Sequence, residues 1–259
     1  MPKRYSACKP FGYEKRAKAV FLFRGDLHEE PEKMNLLIVG PPGAGKGTQA
    51  KVLARKLGVT HLATGDILRH EVRQGSELGR KARDFMEAGQ LVPDDLIIAM
   101  MLPMLKRESD ESGFILDGFP RTLVQMKEFQ DELQKTGIRI HAVISVQVRH
   151  DVLVSRLADR RTCTKSGCNA TFHLVNNPPR ISGRCDDCGT ALITRKDDRR
   201  DVVEDRLKVY NELTDPVIRA YEELRLVMTI DGEAPIGEVT TVIAAKLQGK
   251  STIGETVKV

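Results

Sequence analysis

The stretch GPPGAGKGT at 40–48 follows directly on the apolar run Leu36, Leu37, Ile38 and Val39 and leads into a segment of helical period from Gly47 to Leu57. A short apolar strand, a glycine-rich turn ending in lysine and a helix, in that order, restrict the chain to folds in which a phosphate-binding loop joins strand to helix. The backbone N–H groups of such a loop and the start of the helix direct positive partial charge at phosphate oxygens, and Lys46 adds a full charge. A nucleoside triphosphate is the expected ligand, cradled by Gly43, Ala44, Gly45, Lys46, Gly47 and Thr48. The loop departs from G-x-x-x-x-G-K-[ST] at Gly47, where a hydroxyl would ligate Mg²⁺, and Thr48 comes one place too late. Magnesium is therefore expected to be held mainly by phosphates and water.

Apolar runs recur at 114–116, 141–146 and 226–230, each separated by helical segments. Strands alternating with helices predict an α/β fold with a mostly parallel central sheet covered on both faces. At 259 residues the chain has room for one core domain with inserted pieces. With 41% hydrophobic and 30% charged residues it has an ordinary globular composition, and no stretch approaches the roughly 20 apolar residues of a membrane span. The net charge of +5 favours anionic ligands locally and calls for neither nucleic acid nor membrane. Residues 1–33 lack a secretory apolar region and a sustained period, so they read as an extension to a core that starts at Met34.

Four further stretches accompany the loop: TGDILR at 64–69, GQLVPD at 89–94, DGFPRT at 117–122 and RKDD at 195–198. With GPPGAGKGTQ they resemble the adenylate kinase family, in the same order and over nearly everything after Met34. The resemblance implies a P-loop nucleotide kinase with a core of 34–62, 93–158 and 199–259. A small helical insertion at 63–92 would cover the monophosphate, and a lid at 159–198 the triphosphate. It implies transfer of the terminal phosphoryl group of ATP to AMP, giving two ADP, in a monomer of the cytoplasm. A related nucleoside monophosphate kinase, or one using GTP as donor, is the alternative within the family.

Transfer between two polyanions needs fixed cations and no side-chain nucleophile, because the acceptor phosphate attacks directly. Arginine suits the task, since its fork binds phosphate bidentately and stays charged. By resemblance, Arg69, Arg121, Arg195 and Arg206 contact phosphates from the monophosphate to the reaction centre. Arg156 and Arg160 serve the triphosphate, with the donor adenine near Ala234. Thr64, Gln90, Leu91, Val92, Gly118, Phe119, Pro120 and Gln125 would complete the AMP site, and Thr122 favours AMP over pyrimidine acceptors. Asp117 ends an apolar strand, where a carboxylate organises magnesium and its waters. Asp197 and Asp198 read either as a helix cap with surface charge or, by resemblance, as residues that position arginines.

Cys163, Cys168, Cys185 and Cys188 form two short-spaced pairs, x₄ and x₂. Four thiolates in this pattern suit tetrahedral, structural Zn²⁺ rather than a disulfide framework, in a reducing compartment. Metal-bearing relatives usually have x₂ in the first pair. His173 is expected to pack in the lid, and Cys8 to have no role. A regulatory nucleotide switch would share the loop without the second arginine-rich site, and a zinc-ribbon nucleic-acid module would share only the cysteines.

Overall fold

The computed structural model describes residues 33–165, 168 and 170–251; the extension at 1–32 and Cys8 within it lie outside the described residues. Strand β1 (Met34–Val39) leads through the glycine loop to α1 (Lys46–Leu57). Next come β2 (Thr60–Ala63), α2 (Thr64–Gln74), α3 (Glu77–Glu87), α4 (Asp94–Glu111), β3 (Gly113–Asp117) and α5 (Leu123–Thr136). They are followed by β4 (Ala142–Gln147), α6 (His150–Ala158), β5 (Arg160–Cys163), β6 (Thr171–His173) and β7 (Leu192–Ile193). A 3₁₀ turn at Lys196–Asp198 precedes α7 (Arg200–Val209), and a π-helical turn at Tyr210–Thr214 joins it to α8 (Asp215–Glu223). Strand β8 (Val227–Asp231) and α9 (Ile236–Ser251) complete the described chain.

Five strands form one parallel sheet in the order β2-β3-β1-β4-β8. Alternate residues explain its two covered faces. Leu37, Val39, Phe114, Leu116 and Val143 enter one apolar core with residues of α2, α4, α5 and α8, including Met101, Phe129 and Tyr221. Leu36, Ile38, Ile115, Ile144 and Val146 enter the opposite core with Leu53 of α1, Leu157 of α6, Leu207 of α7 and Ile243 of α9. A parallel sheet buried on both sides reads as continuous apolar runs, which is why β1, β3, β4 and β8 are visible in the sequence. The edge strand β2 was not, because Thr60 and His61 interrupt its apolar character. None of the described helices is long and apolar enough to cross a membrane.

Between β5 and β7 lies a separate three-stranded antiparallel sheet, order β6-β5-β7. Its small core consists of Cys163, Ala170, Phe172 and Cys185, flanked by Cys168, Cys188 and Leu192.

Helices α2 and α3 cross closely because Gly79 has no side chain: a Cβ there would lie 2.1 Å from the Glu71 carbonyl oxygen. Gly79→Ala is therefore expected to push the helices apart and to cost about 1–3 kcal/mol despite alanine's better helix propensity. Denaturant melts of the two proteins check this, with the midpoint falling in the variant.

Candidate active site

The loop after β1 reaches α1 through Gly43 and Gly45 at φ 87° and 89°, a region open to glycine. Helix α1 begins at Lys46 with no side-chain cap and no acidic residue in its first turn, so its leading N–H groups keep their positive potential for an anion. The Lys46 ammonium donates to the Pro41 carbonyl at 2.7 Å. Lys46 is partly exposed as a residue, yet its amine has lost most of its hydration. Burial, opposed by Asp117 and reinforced by Arg121, Arg206 and Arg160, pushes its pKa down to about 7.

Asp117 ends β3 and pairs in register with Ile38 of β1, beside the loop. Burial raises its pKa, but His61 of β2 and Lys46 outweigh that and hold the carboxyl below its ordinary value. His61 Nε2 approaches Asp117 Oδ2 to 3.6 Å, with both side chains 14% exposed. This histidine was not anticipated. Its one available signal was a polar ring in a strand that pairs with β3. The same carboxylate accounts for Gly47, since a Cβ there would meet Asp117 Oδ2 at 3.2 Å. A side chain at 47 would thus crowd a carboxylate from the neighbouring strand.

A cavity opens beside this centre, lined by Thr64, Arg69, Gln90, Leu91, Val92, Gly118, Phe119, Arg121, Gln125 and Arg206 among others. All of these were expected to contact AMP. Of that set, Pro120 and Arg195 are not among its walls. Thr64 is 3% exposed and its hydroxyl has no partner, so it is a buried polar group awaiting one. Burial and the other arginines push Arg121 down to about 10 and Arg195 to about 9. Each stays cationic at neutral pH, but its charge is poorly solvated and an entering anion relieves that cost.

The cations are held by a few carboxylates. Asp198 has a fully buried side chain and accepts from Arg160 Nε at 2.7 Å, from Arg160 Nη2, and from Arg206 Nη1 at 3.1 Å. The surface-cap reading of Asp198 is thereby corrected: the chain enters α7 through a 3₁₀ turn that points this side chain inward. Arg206 also donates to the Asp197 carbonyl at 2.7 Å, Arg69 to Asp66 at 2.5 Å, and Arg195 to the Thr162 hydroxyl at 2.9 Å. Arg156 donates to the Gly232 carbonyl at 2.8 Å, close in sequence to Ala234. This places it on the loop after β8 rather than in the cavity.

The family model described as adenylate kinase matches residues 38–226. The chain belongs to the adenylate kinase family. An adenylate kinase of Desulforudis audaxviator is 46% identical over 214 residues, covering 83% of this chain and 99% of that one. Adenylate kinases of Finegoldia magna and Archaeoglobus fulgidus are 42% and 43% identical over 215 residues each, covering 83% of this chain and 99% and 98% of theirs.

In this family member the four thiols meet as the cysteine spacing predicted. Their Sγ atoms all lie within 4.8 Å of one another, with Cys163 to Cys188 at 3.4 Å and Cys168 to Cys185 at 3.6 Å. A tetrahedral thiolate site with metal–sulfur bonds of about 2.3 Å needs sulfurs about 3.8 Å apart, so the set fits a metal despite the longer first spacing. His173 stays out of it, as expected: its Nδ1 accepts from the backbone N–H groups of Val175 and Asn176 at 3.1 and 3.0 Å.

A lysine whose pKa is about 7 is mostly neutral at pH 8, and a polyphosphate beside it restores the ammonium. Nucleoside triphosphate binding at pH 8 is therefore expected to take up close to one proton through Lys46, and at pH 6 none through this group. Calorimetry in buffers of different ionisation enthalpy reads the uptake, which Lys46→Met abolishes at pH 8. Without nucleotide the sign for stability follows: between pH 7 and the unfolded value of 10.5 the unfolded chain binds more protons at this lysine, so this group makes stability rise with pH across that window.

Proposed function

We propose that the chain catalyses reversible transfer of the terminal phosphoryl group of ATP to AMP, yielding two ADP. The observation that carries this reading is the pairing of two cationic sites: the glycine loop with Lys46, and a separate cavity lined by Arg69, Arg121 and Arg206. A nucleotide switch or hydrolase needs only the first. Family membership supports the same reading, since the relatives named above are adenylate kinases.

In the proposed mechanism the triphosphate lies on the backbone N–H groups of 43–48, with Arg156 and Arg160 assigned to its outer phosphates and the loop near Ala234 to its base. The AMP phosphate meets Arg69, Arg121, Arg195 and Arg206, and its oxygen attacks the terminal phosphorus directly. Lys46 and the arginines are charge stabilisers for the equatorial oxygens as the group passes. Magnesium bound with the triphosphate would supply further positive charge against the phosphates. Asp117, kept ionised by His61 and Lys46, is the carboxylate proposed to orient the ion's waters. Segments 63–92 and 159–198 are assigned to closure over AMP and ATP, and 34–62, 93–158 and 199–259 to the core. We assign Zn²⁺ to the four thiols as a structural ion, because four protein ligands leave no position open for substrate.

A donor-by-acceptor matrix of purified enzyme tests the reaction. ADP is expected from ATP with AMP, and no turnover from ATP alone; hydrolysis of ATP that ignores AMP would overturn the assignment. The zinc assignment has its own measurement. Elemental analysis is expected to give one zinc per chain, and Cys185→Ser to lose the metal and melt at lower temperature, because so small a lid core depends on its cross-link. Four freely titratable thiols in metal-free protein of unchanged melting temperature would remove zinc from the account.

A further inference from the structure

Gln125 lies in the first turn of α5, only 2% exposed, and is one of two amides on the cavity wall. Both heads of its amide are gripped. Its Nε2 donates to Asp94 Oδ1 at 2.7 Å, and its Oε1 accepts the backbone N–H of Arg121 at 2.7 Å. Asp94, the first residue of α4, is fixed in turn: its Oδ2 accepts the Thr122 hydroxyl at 2.9 Å, and that hydroxyl oxygen accepts the Gln125 backbone N–H at 3.0 Å. A carboxylate offers only acceptors here and a backbone N–H only a donor. The two contacts therefore agree on one orientation of the amide and exclude the one turned over by 180°. Each head keeps one unused function: a second N–H on Nε2 and a second lone pair on Oε1.

We propose that Asp94 is a positioning residue that sets the acceptor base, by fixing which head of the Gln125 amide donates to it. The inference rests on the reading of this cavity as the AMP site. Adenine presents a ring-nitrogen acceptor beside an exocyclic N–H donor. Hypoxanthine presents a ring N–H and a carbonyl at the same two positions, so its polarity is reversed. An amide free to turn over can pair with either edge. An amide locked by Asp94 and Arg121 pairs with one and sets donor against donor, and acceptor against acceptor, on the other. Sites built this way discriminate strongly, because the mismatch leaves buried polar groups unpaired.

The test is Asp94→Asn in the full chain. Asparagine keeps the size of the side chain but offers one donor and one acceptor, so it can pair with the glutamine amide either way round and leaves the orientation to the Arg121 N–H. The ratio of kcat/KM for AMP to that for IMP, at saturating ATP, is expected to fall at least about tenfold, with KM for ATP unchanged. A merely structural loss scales both acceptors alike and leaves the ratio intact, and that result would overturn the proposal. If the variant turns over too slowly to assay, equilibrium binding of AMP and IMP to Asp94→Ala is expected to show the same loss of discrimination as a ratio of dissociation constants, since the folded fraction cancels. Gln125→Leu separates the two levels of the argument. If it leaves the AMP:IMP ratio unchanged, the base-reading role of the cavity fails and the lock fails with it. If it collapses the ratio while Asp94→Asn does not, the cavity reading stands and the lock alone is overturned.

Discussion

The contact of Asp198 with Arg160 and Arg206 is the interaction on which the rest of the site depends. Two guanidinium groups this close repel each other, and without an anion between them the chain has no reason to keep them together. A carboxylate with no exposure to water, shared by both, supplies that reason. Removing one partner from such a buried set typically costs about 3–5 kcal/mol, because the remaining charges are left uncompensated. The same logic recurs on a smaller scale: Asp66 holds Arg69, and Asp117 faces Lys46. The cations are thus kept in place by fewer anions than they need, and a polyanionic substrate makes up the difference.

Much of this was legible because it depends on local pattern. The strands β1, β3, β4 and β8 are apolar runs, the loop is a glycine-lysine signature, and the cysteines declare their spacing. What was not legible depends on who meets whom in space. His61 is an ordinary strand residue until β2 is set beside β3, and only then does it face Asp117. Asp198 sits in a run of charges, RKDDRR, whose composition reads as surface, and only the turn before α7 sends one carboxylate inward. Asp94 opens α4, while its contact with Gln125 spans 31 positions of sequence and leaves no local trace.

The four-thiol lid makes the complementary point. Three short strands and a handful of apolar side chains cannot fund a core of the kind that holds the central sheet. A metal on the cysteines would replace buried area with coordination and tie β5 to the turn before β7. The first pair's longer spacing does not splay the sulfurs, and the Cys168 N–H donates to the Lys165 carbonyl at 3.1 Å.

The nearness of the Asp117 carboxylate to Gly47 also changes what kind of object the site is. A hydroxyl on residue 47 would travel with the loop and share its breathing. Asp117 instead belongs to β3, opposite Ile38, in a ladder whose strands lie about 4.8 Å apart. The position of that carboxylate is therefore anchored in strand register, and a slip of one residue would turn it to the opposite face. The glycine loop and Lys46 can shift without moving it, so the sheet acts as the fixed gauge against which the loop is aligned.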